Sequence, residues 1–194
     1  DTEAAVESAR AAGFANINLD LMYALPGQDR SSALQDIARA VELSPPHLSY
    51  YQLTLEPGTV FAAQPPAGLP DDDTAWAIQE ACHARLADAG FQHYEVSAFA
   101  RPGHRCAHNL NYWEFGDYLG IGAGAHGKLS FPHRVLRQVR FREPQAYMDH
   151  ALMGRAVSNE HEVARRDLPF EFMLNALRLR EGFERDLFIQ RTGL

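Results

Sequence analysis

The sequence has few cysteines, no excess of positive charge and no long apolar run. Cys82 and Cys106 are the only 2 cysteines in 194 residues, which favours a reduced, cytoplasmic protein over a disulfide-rich secreted one. Its 18 lysines and arginines against 25 aspartates and glutamates give a net charge of −7, which argues against a nucleic-acid-binding surface. No stretch approaches the roughly 18 apolar residues that would cross a bilayer.

Hydrophobic residues nevertheless make up 46% of the chain, enough for one sizeable core or for one domain with pieces of another. The chain opens on helix-like sequence without an initiating methionine, and it stops soon after the amphipathic pair Leu187 and Phe188. We therefore expect it to be a piece of a longer protein.

Helices and strands alternate along the first hundred residues. The predicted strands show period-2 alternation or an aromatic and β-branched composition, and they are residues 16–25, 47–55 and 93–99. The predicted helices are residues 2–12, a segment opened by the capping-box pattern Ser32-x-x-Gln35, and a segment opened by the acidic run 71–73. Such alternation predicts parallel βα units.

The pattern changes after residue 100. Residues 100–117 are predicted to form a loop, and residues 118–131 and 134–141 a β-ribbon. Two further helices are expected, at residues 145–153 and 166–180. The chain is thus expected to divide into βα units at 1–100, a loop and ribbon extension at 101–160, and the start of a C-terminal domain at 161–194.

Asp20 is the first candidate site residue. In the predicted strand, Ile17, Leu19 and Leu21 suit a face packed on helices, which leaves Asn18 and Asp20 pointing into the hollow of a barrel or half-barrel. A carboxylate there must be paired or hydrogen-bonded. Asp20 is therefore either a ligand contact or a structural partner for an arginine or a backbone amide.

The glycine run Gly122–Gly127 matches the pattern G-x-G-x-x-G. A dinucleotide-binding fingerprint requires a helix that starts within the run, whereas the following residues, Lys128–Pro132, favour a strand and a turn. We therefore reject a Rossmann site. The run either packs tightly on a neighbouring strand or lets a ligand lie against the main chain beside His126.

The segment His108–Trp113 reads HNLNYW. One interpretation is a loop whose Tyr112 and Trp113 anchor it to the core while its two asparagines fix turns. The other is a ligand site, with His108 as an axial iron ligand and the aromatic rings against a planar macrocycle. The pair Cys106-x-His108 offers too few ligands for a zinc site.

Five stretches together resemble the HemW-type radical SAM haem chaperones, which are relatives of oxygen-independent coproporphyrinogen III oxidase. They follow one another through nearly the whole chain and are Leu19–Gln28, His47–Thr59, His93–Gly103, His108–Gly127 and Pro169–Leu179. HNLNYW matches the H-N-x-x-Y-W motif that distinguishes the chaperone branch from the oxidase branch.

The resemblance implies the fold and the ligands. It implies an α/β fold, namely the C-terminal part of an incomplete (β/α) radical-SAM barrel with a β-ribbon extension and the start of a small helical C-terminal domain. It implies S-adenosylmethionine contacts at Asp20, Thr54, Ala125 and His126. It implies a haem-binding set at His108, Asn109, Tyr112 and Trp113, with His108 as the haem-iron ligand.

One departure limits these expectations. The family holds a four-iron four-sulfur cluster on a C-x₃-C-x₂-C triad, and this chain has no such triad. The piece itself is therefore expected to be inactive, without its own cluster and with weak or absent S-adenosylmethionine binding.

Three functions stay open at this point. In the first, the parent protein is a chaperone that passes haem to a haem-requiring client, and a weak membrane association is left open. Alternatively, it is a coproporphyrinogen III oxidase of porphyrin biosynthesis. The third reading is an inert half-barrel that self-associates through an exposed sheet edge.

Overall fold

The computed structural model describes residues Thr2–Leu194. The chain forms two compact units, Asp1–Cys106 and Ala107–Leu194. The predicted extension and C-terminal segment therefore fall almost wholly in the second unit.

The first unit is a sheet covered by helices. Its elements in chain order are α1 (Thr2–Ala11), β1 (Asn18–Tyr23), α2 (Arg30–Glu42), β2 (His47–Gln52), α3 (Val60–Ala63), α4 (Asp72–Asp88), β3 (Gln92–Glu95) and β4 (Ala98–Ala100). The described strands pair in the order β1-β2-β4-β3, with β1 and β2 parallel and the other neighbours antiparallel. The predicted parallel βα unit is confirmed, and it leaves β1 at an edge.

The core of this unit follows from the periodicity of its elements. Along β1, Leu19 and Tyr23 are buried and alternate with exposed side chains. On α4, Ile78, Cys82 and Leu86 recur at helical spacing and are fully buried. These residues belong to one cluster, so α4 packs on the face of the sheet that carries Leu19 and Tyr23.

The start of α2 differs from the prediction. The N-cap is Asp29 rather than Ser32, because the Asp29 carboxylate accepts the backbone N–H of Ser32 at 2.8 Å. The Ser32 hydroxyl in turn accepts the backbone N–H of Asp29 at 3.0 Å. Ser32 is thus the third residue of a reciprocal capping box and not its first.

The strand predicted at residues 93–99 is instead a tight hairpin. Strands β3 and β4 pair antiparallel with a register shift between His93 and Glu95. Period-2 alternation cannot reveal such a reversal, because both arms continue to alternate.

The second unit is a three-stranded antiparallel sheet with short helices. Its elements are α5 (Ala107–Trp113), β5 (His126–Phe131), β6 (Arg134–Arg140), α6 (Pro144–Leu152), β7 (Val157–Glu162), α7 (Leu168–Ala176) and α8 (Arg185–Thr192). The predicted ribbon is confirmed as β5 and β6, but its first strand begins at His126 and not at residue 118. The third strand, β7, was missed because its sequence VSNEHE is almost wholly exposed and lacks an apolar face.

A phenylalanine cluster forms the core of the second unit. Phe172 on α7 is fully buried and meets the rings of Phe115, Phe183 and Phe188 at centroid distances of 5.8, 4.8 and 5.2 Å. These near-perpendicular contacts suit aromatic quadrupoles. The helix is shorter than predicted and ends at Ala176.

Lys128 on β5 is buried beside this core, with 1% of its surface exposed. Its ammonium group donates to the Phe115 carbonyl, the Asp117 carboxylate and the Ser130 hydroxyl at 2.9, 2.9 and 2.8 Å. All three donors of the ammonium are therefore satisfied, which makes a buried lysine tolerable.

Candidate functional site

Asp20 lies on the sheet face opposite the helices of the first unit. Leu19 and Tyr23 enter the core with α2 and α4, whereas Asn18 and Asp20 alternate onto the other face. Asp20 is exposed there. In a (β/α) barrel the helix-free face of the sheet is the face that lines the hollow, so this placement agrees with the orientation predicted from the sequence.

A chain of hydrogen bonds runs from Asp20 across this face. Asn18 Nδ2 donates to Asp20 Oδ1 at 2.7 Å, and Asn18 Oδ1 lies 2.6 Å from Nδ1 of His47 on β2. His47 Nε2 lies 2.8 Å from the hydroxyl of Tyr94 on β3, which accepts the backbone N–H of Cys106 at 3.2 Å. We call these four side chains, Asp20, Asn18, His47 and Tyr94, the relay.

The relay has a defined direction. Because the Asn18 amide nitrogen donates to a carboxylate, its oxygen faces His47, and Nδ1 of His47 must carry the hydrogen. His47 Nε2 then accepts the Tyr94 hydroxyl hydrogen. Burial lowers the pKa of His47, and this outweighs the opposing charge of Asp20. A neutral imidazole is the form that this arrangement stabilises.

The relay leaves part of Asp20 available. Oδ1 is held by Asn18, but Oδ2 accepts no hydrogen bond from any residue in Thr2–Leu194. A carboxylate oxygen fixed in orientation and free of protein donors can accept a hydroxyl or an amine of a ligand.

The other residues implied to contact S-adenosylmethionine are spread over both units. Thr54 follows the carboxyl end of β2, and its hydroxyl donates to Glu56 at 3.1 Å. Ala125 and His126 lie in the second unit, where Arg140 N–H donates to the Ala125 carbonyl at 2.8 Å. Within the first unit, Thr54 and Asp20 belong to two paired parallel strands or to the loop directly after them.

The glycine run before β5 is a loop and not the start of a helix. Gly122 and Gly124 have φ values of 109° and 71°, in the region that favours glycine, and a strand follows at His126. The strand predicted after the run is therefore confirmed, and it stands where a dinucleotide fingerprint requires a helix.

The HNLNYW segment is helical, so the predicted loop at residues 100–117 is wrong over this stretch. Helix α5 spans Ala107–Trp113 and places His108 and Tyr112 on one side. Their rings meet edge-on at 4.8 Å and 90°, and Tyr112 in turn meets Tyr118 at 4.5 Å. The sequence did not predict this helix because none of its residues is buried, and it therefore has no apolar face.

His108 is exposed, and its ring nitrogens have no hydrogen-bond partner among the described residues. Asn109 beside it is partly exposed. An imidazole held edge-on by a tyrosine, with both nitrogens open, can ligate a metal from outside the chain.

The end of α5 carries two unusual features. The Trp113 Nε1 hydrogen is buried with no acceptor in the described residues, and the Arg178 guanidinium lies 4.2 Å from the indole ring centroid. Gly116 lies where a Cβ would stand 2.1 Å from Asn111 Oδ1. The motif thus depends on a glycine that sequence analysis did not single out.

Known proteins with similar sequences cover the whole chain. The chain is 50% identical over 195 residues to the haem chaperone HemW of Escherichia coli K12, and 49% identical over 195 residues to that of Haemophilus influenzae. The haem chaperone HemW of Mycobacterium tuberculosis is 38% identical over 184 residues, which cover 92% of this chain. The chain belongs to the HemW family.

The chain spans about half the length of these curated relatives, 50% for E. coli HemW and 46% for the M. tuberculosis protein. No protein-family model matches it. Among solved structures it is similar to E. coli coproporphyrinogen III oxidase (HemN), a radical SAM enzyme. The TM-score is 0.77 and the identity 25%, over all of this chain and 47% of that one. This likeness confirms the predicted partial radical SAM α/β fold.

An iron–sulfur cluster does not fit the residues that this HemW-family chain provides. Cys82 is fully buried on α4 against Tyr50, and burial raises the pKa of its thiol. Cys106 is partly exposed. Between Thr2 and Leu194 no group of three or more histidine, cysteine, aspartate or glutamate side chains could hold a metal ion. We derive no chemical step through a cluster.

His47 and Tyr94 were missed by the sequence analysis. The sequence pattern could have identified His47, because the period-2 alternation that predicts the direction of the Asp20 side chain also applies to β2. In the parallel register Asn18 pairs with His47 and Asp20 with Ser49, so these side chains share one face. Tyr94 carried no such signal, since only the β3–β4 hairpin brings it there.

None of the helices in Thr2–Leu194 is long and apolar enough to cross a membrane.

Proposed function

We propose that the protein to which this chain belongs binds haem and passes it to haem-requiring clients in the cytoplasm, with His108 on α5 as the iron ligand. The observation that carries the proposal is the open imidazole of His108, set edge-on to Tyr112 at 4.8 Å on a helix that also bears Asn109 and Trp113. The names of the HemW relatives support it.

The chemistry of α5 suits a porphyrin. A neutral imidazole is a common axial ligand of haem iron, and tyrosine and tryptophan rings offer apolar faces to a flat macrocycle. The buried and unpaired Nε1 of Trp113 supplies a hydrogen-bond donor on the same helix. Such an unsatisfied donor is costly without a function.

Haem titration of the chain tests this proposal, with the Soret band as the readout. The variant His108→Ala should lose the axial-ligand signature and bind haem at least tenfold more weakly. The matched control is His161→Ala, which removes an exposed histidine of β7 outside the motif. Equal spectra and affinities for His108→Ala and the unaltered chain would remove His108 from the proposal.

We further propose that Asp20 contacts S-adenosylmethionine in the full-length protein, together with Thr54, Ala125 and His126. The support is the free Oδ2 of Asp20 and its fixed orientation through Asn18. When bound beside an iron–sulfur cluster, S-adenosylmethionine supplies radical chemistry, and this chain's part is to bind and orient it.

Equilibrium binding of S-adenosylmethionine to the full-length reconstituted protein tests the role of Asp20. Asp20→Asn removes the charge but keeps the shape, and it should weaken binding about tenfold. Asp73→Asn on α4 is the control, since that carboxylate is exposed at a helix N-terminus. An unchanged affinity in Asp20→Asn would contradict the assignment.

A second function deserves a direct test, because HemN, a coproporphyrinogen III oxidase, is similar in structure. Fold kinship alone does not establish an activity. Product analysis on the full-length reconstituted protein separates the two proposals. Formation of protoporphyrinogen at catalytic rates would favour the oxidase, and its absence together with haem transfer would favour the chaperone.

A further inference from the structure

A basic pocket opens in the second unit, away from the residues discussed so far. It has a volume of about 280 Å³ and is lined by the β5–β6 turn, the end of β7 and the end of α8. Three arginines line it, Arg134, Arg165 and Arg191, with His133 beside them. Glu162 is the single acidic residue of the lining. This set is unusual in a chain whose net charge is −7.

The charges of the three guanidinium groups are not paired by the residues that the structure describes. None of them forms an ion pair with a residue in Thr2–Leu194. Arg165 Nη2 donates to the neutral carbonyl of Gly193 at 3.1 Å, and Arg134 lies 5.3 Å from the centroid of the Phe131 ring. These neutral contacts position the charges and leave them uncompensated.

The guanidinium of Arg191 is partly buried, and its positive charge also lacks a partner between Thr2 and Leu194. Its Nε is buried and has no hydrogen-bond acceptor among the described residues. Burial lowers the pKa of Lys128, and the charges of Arg137 and Arg191 add to this effect, against the opposing influence of Asp117. An anion in the pocket would relieve this repulsion.

The floor of the pocket is apolar. Val135, Val163 and Leu168 line it and are each less than a tenth exposed. A pocket with an apolar floor and a cationic wall suits an anion on a short aliphatic stem better than a fully hydrated inorganic ion. Arginine also matches a carboxylate with two parallel hydrogen bonds.

We propose that the basic pocket binds an aliphatic carboxylate through Arg134, Arg165 and Arg191. Two sources share this chemistry, a free dicarboxylic acid and the propionate side chain of a porphyrin. The pocket is too small for a whole porphyrin, so in the second case only the propionate enters it.

Calorimetric titration of the 194-residue chain with glutarate tests the pocket without reference to haem. Glutarate should bind, and Arg134→Gln, Arg165→Gln and Arg191→Gln should each weaken binding about tenfold, the size expected for a lost charge-assisted hydrogen bond. The control is Arg155→Gln, an exposed arginine outside the pocket. Far-UV circular dichroism shows that each variant is folded. Arg134 and Arg165 are exposed, so their variants keep the test valid if Arg191→Gln unfolds.

A second arm identifies the source of the carboxylate. Haem and its dimethyl ester are titrated against the unaltered chain and the Arg134→Gln variant. Tighter binding of haem than of the ester, lost in Arg134→Gln, assigns the site to a propionate. Equal binding of haem and ester, with glutarate binding intact, assigns it to a free acid. Both results support a carboxylate site.

Three outcomes would overturn the proposal. These are no glutarate binding, equal losses in Arg155→Gln and the pocket variants, and phosphate binding as tight as glutarate binding. Glutarate binding that is absent from the full-length protein would also overturn it. Because the glutarate arm contains no haem, failure of the pocket and failure of the proposed chaperone function give different results.

Discussion

Nε2 of His47 lies 2.8 Å from the Tyr94 hydroxyl, and this contact ties β2 to β3 across the intervening strand β4. Through Asn18 the same imidazole reaches Asp20 on β1. The buried His47 therefore connects Asp20 on β1, through Asn18, to Tyr94 on β3.

The first prediction concerns pH. Burial lowers the pKa of His47 in the folded chain. The stabilising contribution of neutral His47 is therefore complete above the unfolded pKa of about 6.5, and it is lost as the pH falls through the lower folded pKa. The free energy of unfolding, measured in urea, should fall between pH 7.5 and pH 5 in the unaltered chain.

The variant His47→Gln should show less of this pH-dependent loss, because it has no imidazole to protonate. At pH 7.5 it should already be less stable by about 1–2 kcal/mol, since one buried and one partly buried hydrogen bond are disturbed. His104→Gln removes an exposed histidine of the same unit and should keep the pH dependence of the unaltered chain. Parallel pH curves for all three proteins would refute the assignment.

The second prediction concerns the ion pair between the buried Lys128 and the exposed Asp117. The Lys128 side chain is 1% exposed and that of Asp117 42%, so water can solvate Asp117 alone but not Lys128 alone. Asp117→Ala should cost about 3 kcal/mol of unfolding free energy because it leaves the buried Lys128 ammonium without its ion-pair partner. Lys128→Met, which keeps the apolar stem, should cost about 1–2 kcal/mol.

The double variant Asp117→Ala/Lys128→Met provides the control for that asymmetry. It should be more stable than Asp117→Ala alone, because it no longer contains the unpaired Lys128 ammonium. Denaturant unfolding measures all three. A Lys128→Met variant less stable than Asp117→Ala would show that the stem and not the charge dominates.

The third prediction compares Gly120, just before the glycine run, with Gly127 at the end of the run. A Cβ at Gly120 would stand 2.3 Å from the backbone oxygen of His126, whereas a Cβ at Gly127 would meet its nearest neighbour, Gly120 N, at 3.3 Å. Backbone cannot move aside as a flexible side chain can. Gly120→Ala should cost about 2–3 kcal/mol and Gly127→Ala less than about 1 kcal/mol. Thermal unfolding gives the ranking, and equal melting temperatures would be inconsistent with the close approach at Gly120.

The fourth prediction concerns association of the 194-residue chain. Strand β1 pairs with β2 on one side and with no other strand of the described residues. An open edge of six residues invites pairing with a second copy. Light scattering at high concentration should detect dimers or larger species.

Met22→Lys places a charge on this edge strand, where Met22 is exposed, and should shift the population towards monomer. Val96→Lys alters an equally exposed apolar residue in the β3–β4 turn and should leave association unchanged. A monodisperse monomer for the unaltered chain would count against the edge as an association surface.

Local patterns predicted much of this chain correctly. Alternation along residues 16–25 predicted β1 and the side of the sheet on which Asp20 lies, because side-chain direction in a strand follows a strict period of 2. The acidic run at residues 71–73 predicted the start of α4, because carboxylates are favourable at the positive end of a helix dipole. The sequence motifs also predicted the family, which the HemW relatives confirm.

Other features depend on contacts between residues far apart in the chain. Helix α5 was missed because its polar residues suggested a loop, and β7 because it pairs through backbone groups that carry no side-chain signal. The roles of Thr54, Ala125, His126 and the haem-binding set remain predictions.

What the sequence by itself determined is the class of each well-patterned element and the face on which its side chains fall, since both follow from local backbone geometry. The tertiary structure alone decided that His47, Tyr94 and Asp20 form one hydrogen-bonded chain, and that Arg134, Arg165 and Arg191 surround one pocket. The physical reason is that hydrogen bonds and uncompensated charges depend on distances between segments, which hydrophobic periodicity does not encode.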